Sequence, residues 1–159
     1  MLAKAFTQVA SQHARCYPTF NTSFRYEKYW IPFILSTSED YETDLAFLPP
    51  LDIHWVWHVH MLAPAKYARD LQESPLGRII NHKPADILGK EATRKRKQTA
   101  AKWSNLFPEE PFEKELKTMI EDKNEFKSSF SYDILSASAR QKIFYYQVRD
   151  EWYVDQDDV

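Results

Sequence analysis

Apolar residues along this chain recur mostly at spacings of three and four, and that spacing predicts a succession of short helices. Leu2, Phe6, Val9 and Ala10 place one over residues 2–16, ended by Pro18 and the Asn21-Thr22-Ser23 cluster. Tyr26, Tyr29, Trp30 and Phe33 predict a second from Phe24 to Leu35, kinked or ended at Pro32, which offers no backbone donor. Residues 36–44 are polar and acidic and read as a solvated loop. Beyond the turn Ser74-Pro75-Leu76-Gly77, a long helix is expected over Asp86–Phe107, with Ala92, Thr99, Trp103 and Leu106 turned inward. Phe112–Ile120 reads as a shorter amphipathic piece, and residues 121–131 as a charged, serine-containing linker. Tyr132–Val148 reads as a last helix, before an acidic tail that holds no base.

One stretch fits two patterns. Leu51, Ile53, Trp55, Trp57, Val59 and Met61 alternate with Asp52, His54, His58 and His60, as on a half-buried strand. Yet Pro50 suits a first helical turn, and Asp52 suits the positive end of a helix. Pro64 would then stop that helix and open another through Glu73. Pattern alone leans to strand.

Composition shifts the balance. An aromatic share of 15% with only two glycines favours helices over a turn-rich sandwich. A net charge of −2 argues against a bulk polyanion binder. The single cysteine, Cys16, forms no internal disulfide and reads as a small buried apolar residue in a reducing compartment. No run approaches the roughly 20 apolar residues of a membrane span, and the first residues lack the apolar block of a secretory signal. The expected setting is cytoplasmic, with nuclear entry open through a basic run.

The order of several pieces is distinctive. Arg25-Tyr26-Glu27, Tyr29-Trp30 and Pro32 precede Pro49-Pro50-Leu51-Asp52, Trp55, Trp57-His58, His60, Leu62, Pro64, Tyr67 and Asp70. Gly77-Arg78-Ile79-Ile80, Trp103, Glu110-Pro111-Phe112, Tyr132-Asp133-Ile134-Leu135 and Phe144-Tyr145-Tyr146-Gln147-Val148 follow. In these pieces the chain resembles the conserved N-terminal domain of the glycine-rich domain-containing protein family of plants and fungi. The resemblance implies a helical domain, which settles the central stretch as helix. It also implies a conserved region that carries the Trp-His-x-His pattern twice, whereas this chain shows one copy and no glycine-rich tail. A role that depends on either does not transfer. The family is linked to stress and hormone responses, some members bind RNA through other segments, and no reaction is attached to this domain.

The expected fold is therefore all-α: a single domain over residues 1–149, an irregular bundle of about five to seven helices, with the tail at 150–159. Its centre is Asp52, Trp55, Trp57, His58, His60, Tyr67 and Asp70. In the structural reading, a buried His58 bonds Asp52 or Asp70 and locks helices together, while both tryptophans fill the core. His58, His60, His82 and Asp52 form a candidate transition-metal set, but on a helix His58 and His60 lie about 200° apart and cannot share an ion. An aspartate against His58 or His60, with Tyr67 as hydroxyl donor, would suit acid/base work. Arg94, Lys95, Arg96 and Lys97 form the basic run, ordinarily a solvated helix face. The reading leans away from an enzyme and requires no cofactor. It expects a binding or scaffold module for a protein or small-molecule partner. The alternatives are a metal-dependent His/Asp enzyme and a nucleic-acid-associated protein acting through Arg94–Lys97.

Overall fold

Pro32 cannot donate the backbone hydrogen bond that an α-turn needs, and the helix around it responds by widening. The computed structural model describes residues 20–37, 47–80, 89–114 and 126–154. Its first helix, α1, has three contiguous pieces: α over Phe20–Arg25, π over Tyr26–Trp30 and α over Ile31–Ser36. The Ile31 N–H reaches back five residues to the Tyr26 carbonyl. Of the two outcomes expected at Pro32, a kink or an end, the helix does not take the end. The wide turn takes up the missing bond and the ring, and the chain stays helical to Ser36.

Four more helices follow: α2 (Leu51–Met61), α3 (Pro64–Glu73), α4 (Lys90–Leu106) and α5 (Ile134–Val154). Among the described residues there is no strand, and the architecture is all-α. The central stretch is helix α2, entered at Pro50, whose carbonyl accepts the His54 N–H at 2.9 Å. Its misleading alternation has a physical cause. Asp52, Ile53, His54, Val56, Trp57, Val59 and His60 are all buried, so the helix is enclosed on most sides. An enclosed helix has no broad polar face from which to read a period.

Aromatic side chains build the core between α1, α2 and α4. Trp30 stacks on Phe33 (centroids 5.2 Å apart, planes 9° apart) and lies 5.6 Å from Trp57. Phe33 in turn lies 5.9 Å from Trp103 of α4. Ala92, Thr99 and Trp103 face inward as expected, but Leu106 is 43% exposed. Helix α4 ends at Leu106, and Phe107 takes the inner position instead, its ring 5.1 Å from both Tyr29 and Trp103. The turn after α3 is as expected. The Gly77 N–H bonds the Ser74 carbonyl, and Gly77 adopts φ +66°, open to a residue without Cβ.

Several boundaries differ from the sequence reading. Helix α1 begins at Phe20, so Asn21-Thr22-Ser23 lies inside it and does not separate two elements, and α4 begins at Lys90, after Gly89. Helix α5 continues to Val154, into the expected tail, because no Gly or Pro interrupts it and Trp152-Tyr153-Val154 prolongs its apolar content. Residues 126–131, expected to be linker, form a strap held against the core by hydrogen bonds described below. The expected helix at 2–16, Cys16, the loop residues 38–44, His82, residues 115–120 of the amphipathic piece and the tail from 155 lie outside the described residues. No described helix is long and apolar enough to cross a membrane.

Candidate functional site

Three consecutive residues of α1, Arg25, Tyr26 and Glu27, are all buried, and each reaches a different neighbour. This is the geometry of a helix surrounded on three sides.

Arg25 is fully enclosed. Its Nη1 bonds Asp52 at the head of α2, and its Nε bonds Glu110 at 2.7 Å. Its Nη2 bonds the carbonyls of Pro111 and Phe112, each at 2.8 Å. The guanidinium also lies 5.8 Å from the Trp103 ring centroid. One planar cation thus ties α1 to the start of α2 and to the loop after α4, the fork geometry that arginine supplies and lysine does not. Burial raises the Asp52 carboxyl above its ordinary value, and the Arg25 charge pulls it part of the way back.

Tyr26 points to His60. Its hydroxyl lies 3.1 Å from His60 Nδ1, and His60 Nε2 lies 3.3 Å from Asp70 Oδ2. The roles follow from the acceptor. An ionised Asp70 only accepts, so Nε2 carries the proton and Nδ1 accepts from the Tyr26 hydroxyl. Burial lowers the His60 pKa to about 4, although Asp70 pulls it upward, so the ring is neutral near pH 7. Around it stand the rings of Tyr132 (nearly parallel, 5.9 Å), Phe130 (5.1 Å), Tyr26 (5.9 Å) and Tyr67 (5.1 Å).

The strap is clamped by two carboxylates. Glu27 accepts hydrogen bonds from the hydroxyls of Ser128 and Ser129 and from the Ser129 N–H. Asp70 accepts the N–H groups of Ser131 at 2.9 Å and Tyr132 at 3.2 Å. Burial pushes Asp70 up, but the bonds from Ser131 and Tyr132 and the neighbouring His60 outweigh it and hold the carboxyl below its ordinary value. A further chain runs from Trp57 Nε1 to the Tyr67 hydroxyl (3.0 Å) and on to the Ile80 carbonyl (3.0 Å). Burial raises the Tyr67 pKa to about 12.

The expected centre therefore divides in two. Asp52, Trp57, His60, Tyr67 and Asp70 are buried and bonded within the fold. Trp55 is only partly buried and His58 is exposed, with ring centroids 6.4 Å apart. The imidazole that locks the helices is thus His60, not His58. The hydroxyl beside it belongs to Tyr26, not Tyr67. Trp55 packs at the core's margin rather than filling it. His58 and His60 leave the helix in different directions, as two steps of about 100° require. Both nitrogens of His60 are engaged inside the protein, and among the described residues no group of three or more His, Cys, Asp or Glu side chains converges. Partial burial lowers the pKa of His58.

Sequence reasoning missed Arg25 and Glu27 as site residues. Both stand in the Arg25-Tyr26-Glu27 piece, and the pairing could have been sought from Asp52, since a buried carboxylate needs a cation or several donors. The basic run lies on α4, where Arg94 bonds Glu91 at 2.6 and 3.0 Å and Gln98 at 3.2 Å. A groove of about 300 Å³ opens beside the strap, lined by Ser23, Phe126, Tyr132, Asp133 and Leu135 among others. None of the seven centre residues lines it.

Residues 72–158 match the family described as glycine-rich domain-containing protein-like. Glycine-rich domain-containing protein 1 of Arabidopsis thaliana is 34% identical over 131 residues, 79% of this chain and 16% of that protein. Glycine-rich domain-containing protein 2 of the same plant is 30% identical over 138 residues, 84% of this chain and 17% of that protein. The chain thus spans about a sixth of the length of these curated relatives. No solved structure matches it.

Proposed function

The chain belongs to the glycine-rich domain-containing protein-like family, and from that premise we propose that it is a non-enzymatic binding or scaffold module whose outer α2 face recognises a protein partner. The division of the motif carries this reading. Its inner members use their polar atoms on one another, on α1, on the Ile80 carbonyl and on the strap, which is structural work. Its outer members, Trp55 and His58, stand with Leu62 at positions i, i+3 and i+7, a single helical face. Leu62 is 52% exposed, and His58 is exposed beside the Trp55 ring. A tryptophan flanked by a leucine and an imidazole is the composition of an interface anchor, because aromatic side chains bury large area at low entropic cost.

A protein partner is favoured over a small ligand, since the groove of about 300 Å³ lies by the strap and shares no residue with this face. The experiment places a photo-crosslinking amino acid at His58 in the chain expressed in cells, with exposed Lys97 of α4 as the control position. A discrete adduct is expected at 58 and absent at 97, and it should disappear in a Leu62→Asp background of unchanged helicity. Equal labelling at both positions would overturn the reading. So would turnover that vanishes in His58→Ala while the fold survives.

A further inference from the structure

The strap hangs on hydrogen bonds to two carboxylates, Glu27 of α1 and Asp70 of α3, and covers His60 with the rings of Phe130 and Tyr132. Asp70 also pairs with His60. Glu27 has no such second partner in the core. It is 7% exposed, and every hydrogen bond its carboxylate accepts among the described residues comes from Ser128 or Ser129. The cation paired with it is Lys28 Nζ at 3.5 Å, on a half-exposed side chain. A surface lysine of this kind offsets little of the charge. One end of the strap is thus fastened by serine hydroxyls to a nearly enclosed anion.

The two serines differ. Ser128 is half-buried, and its Oγ both donates to Glu27 at 2.7 Å and accepts the Phe130 N–H at 3.1 Å. Ser129 is exposed, although its N–H and its hydroxyl both bond Glu27. Of the pair, Ser129 is the one open to solvent. A hydroxyl in this place donates, and its phosphate ester cannot. The ester carries about −1.5 to −2 charges at pH 7 and only accepts. Set against Glu27, it exchanges a hydrogen bond for repulsion between two anions, one of them with little water to screen it.

We propose that Ser129 is a phosphorylation site, and that its phosphate releases the strap from Glu27 and uncovers His60. A protein kinase transfers the group from ATP. A bond forms from Ser129 Oγ to the γ-phosphorus, the bond from that phosphorus to the β-phosphate oxygen breaks, ADP leaves and the hydroxyl proton passes to the kinase. The release stops at Asp133, which accepts the Ser136 N–H at 3.0 Å and caps the start of α5 without help from the strap. Trp55, His58 and Leu62 lie outside the strap, so the switch is separate from the partner surface proposed above.

The chain carrying phosphoserine at 129 is compared with the unmodified chain and with one carrying it at exposed Ser104 of α4. Phosphoserine at 129 should speed amide exchange at Ser129, Ser131 and Tyr132 by roughly tenfold, with the amides of α2 unchanged. Diethyl pyrocarbonate should then acylate the otherwise enclosed His60, while exposed His58 reacts in every form and serves as the reference. Neither change is expected from phosphoserine at 104. Glu27→Gln keeps an acceptor and removes the charge, so in that background, at unchanged helicity, the phosphate should lose most of its effect. For the site itself, the unmodified chain is incubated with ATP and a eukaryotic cell extract, and mass spectrometry should find phosphate on Ser129. Its absence there would overturn the assignment as a modification site. A strap that stays closed with phosphoserine at 129, or that opens equally in Glu27→Gln, would overturn the switch.

Discussion

His60 Nε2 and Asp70 Oδ2 lie 3.3 Å apart, and the same Asp70 carboxylate accepts the backbone N–H groups of Ser131 and Tyr132. One side chain of α3 therefore holds both the imidazole of α2 and the strap that covers it. Removing the carboxylate strands three donors, the fully enclosed His60 Nε2 and two half-covered backbone N–H groups. Asp70→Ala is expected to cost on the order of 3 kcal/mol in urea unfolding, with faster amide exchange at Ser131 and Tyr132.

The neutral, enclosed His60 gives stability a defined dependence on pH. Above pH 6.5 the ring is uncharged in both folded and unfolded chains. As pH falls below 6.5 the unfolded chain takes a proton that the folded one refuses until about pH 4. Stability should drop through that window, by on the order of 3 kcal/mol in all. Asp70, whose pKa is lowered from 3.8, extends the loss further into acid, because the bonds it accepts need the ionised form. Urea midpoints measured from pH 7.5 to 3.5 check the slope. An NMR titration placing the His60 ring near 6.5 would contradict it.

The two histidines of the motif should behave oppositely. His58→Ala removes an exposed ring and is expected to shift stability by no more than about 0.5 kcal/mol. His60→Ala empties the space between Tyr26, Tyr67, Phe130 and Tyr132 and unpairs two polar groups, and should cost on the order of 3 kcal/mol. Paired thermal melts decide between this and the reverse assignment.

Arg25 offers the sharpest test of the core. Arg25→Ala leaves Asp52 buried beside no cation, a change expected to cost about 3–5 kcal/mol. Arg25→Lys should recover little of it. An ammonium on an unbranched stem cannot reach Asp52, Glu110 and the carbonyls of Pro111 and Phe112 together. Denaturant midpoints of the two variants measure the difference.

Tyr67→Phe isolates a single hydroxyl. It breaks the link from Trp57 Nε1 to the Ile80 carbonyl while keeping the ring. A loss of about 1–3 kcal/mol is expected, and the quenching of Trp57 fluorescence should change with it.

How much of this was readable in the chain depended on distance along it. Local signals placed the helices: Pro50 and Pro64 open α2 and α3, the Ser74–Gly77 turn closes α3, and the tryptophans mark the core. Pro32, expected to kink or end the helix, does not end it, since proline chemistry forbids an α-bond but not the wider turn that tertiary packing sustains. The residues at 126–131 read as linker because their serines are polar, and nothing nearby reveals that Glu27 awaits them.

The sequence by itself determined the family, the all-α class and the angular relation between neighbours on a helix, such as the divergence of His58 from His60. Covalent geometry fixes that relation before any packing occurs. Only the tertiary structure decided the absolute rotation of α2, and with it which imidazole is enclosed and which is presented. That rotation is set by partners 34 residues away for Tyr26 with His60, and 27 away for Arg25 with Asp52. Contacts at such separations leave no periodic trace in the chain, because they depend on how whole helices fill space around one another.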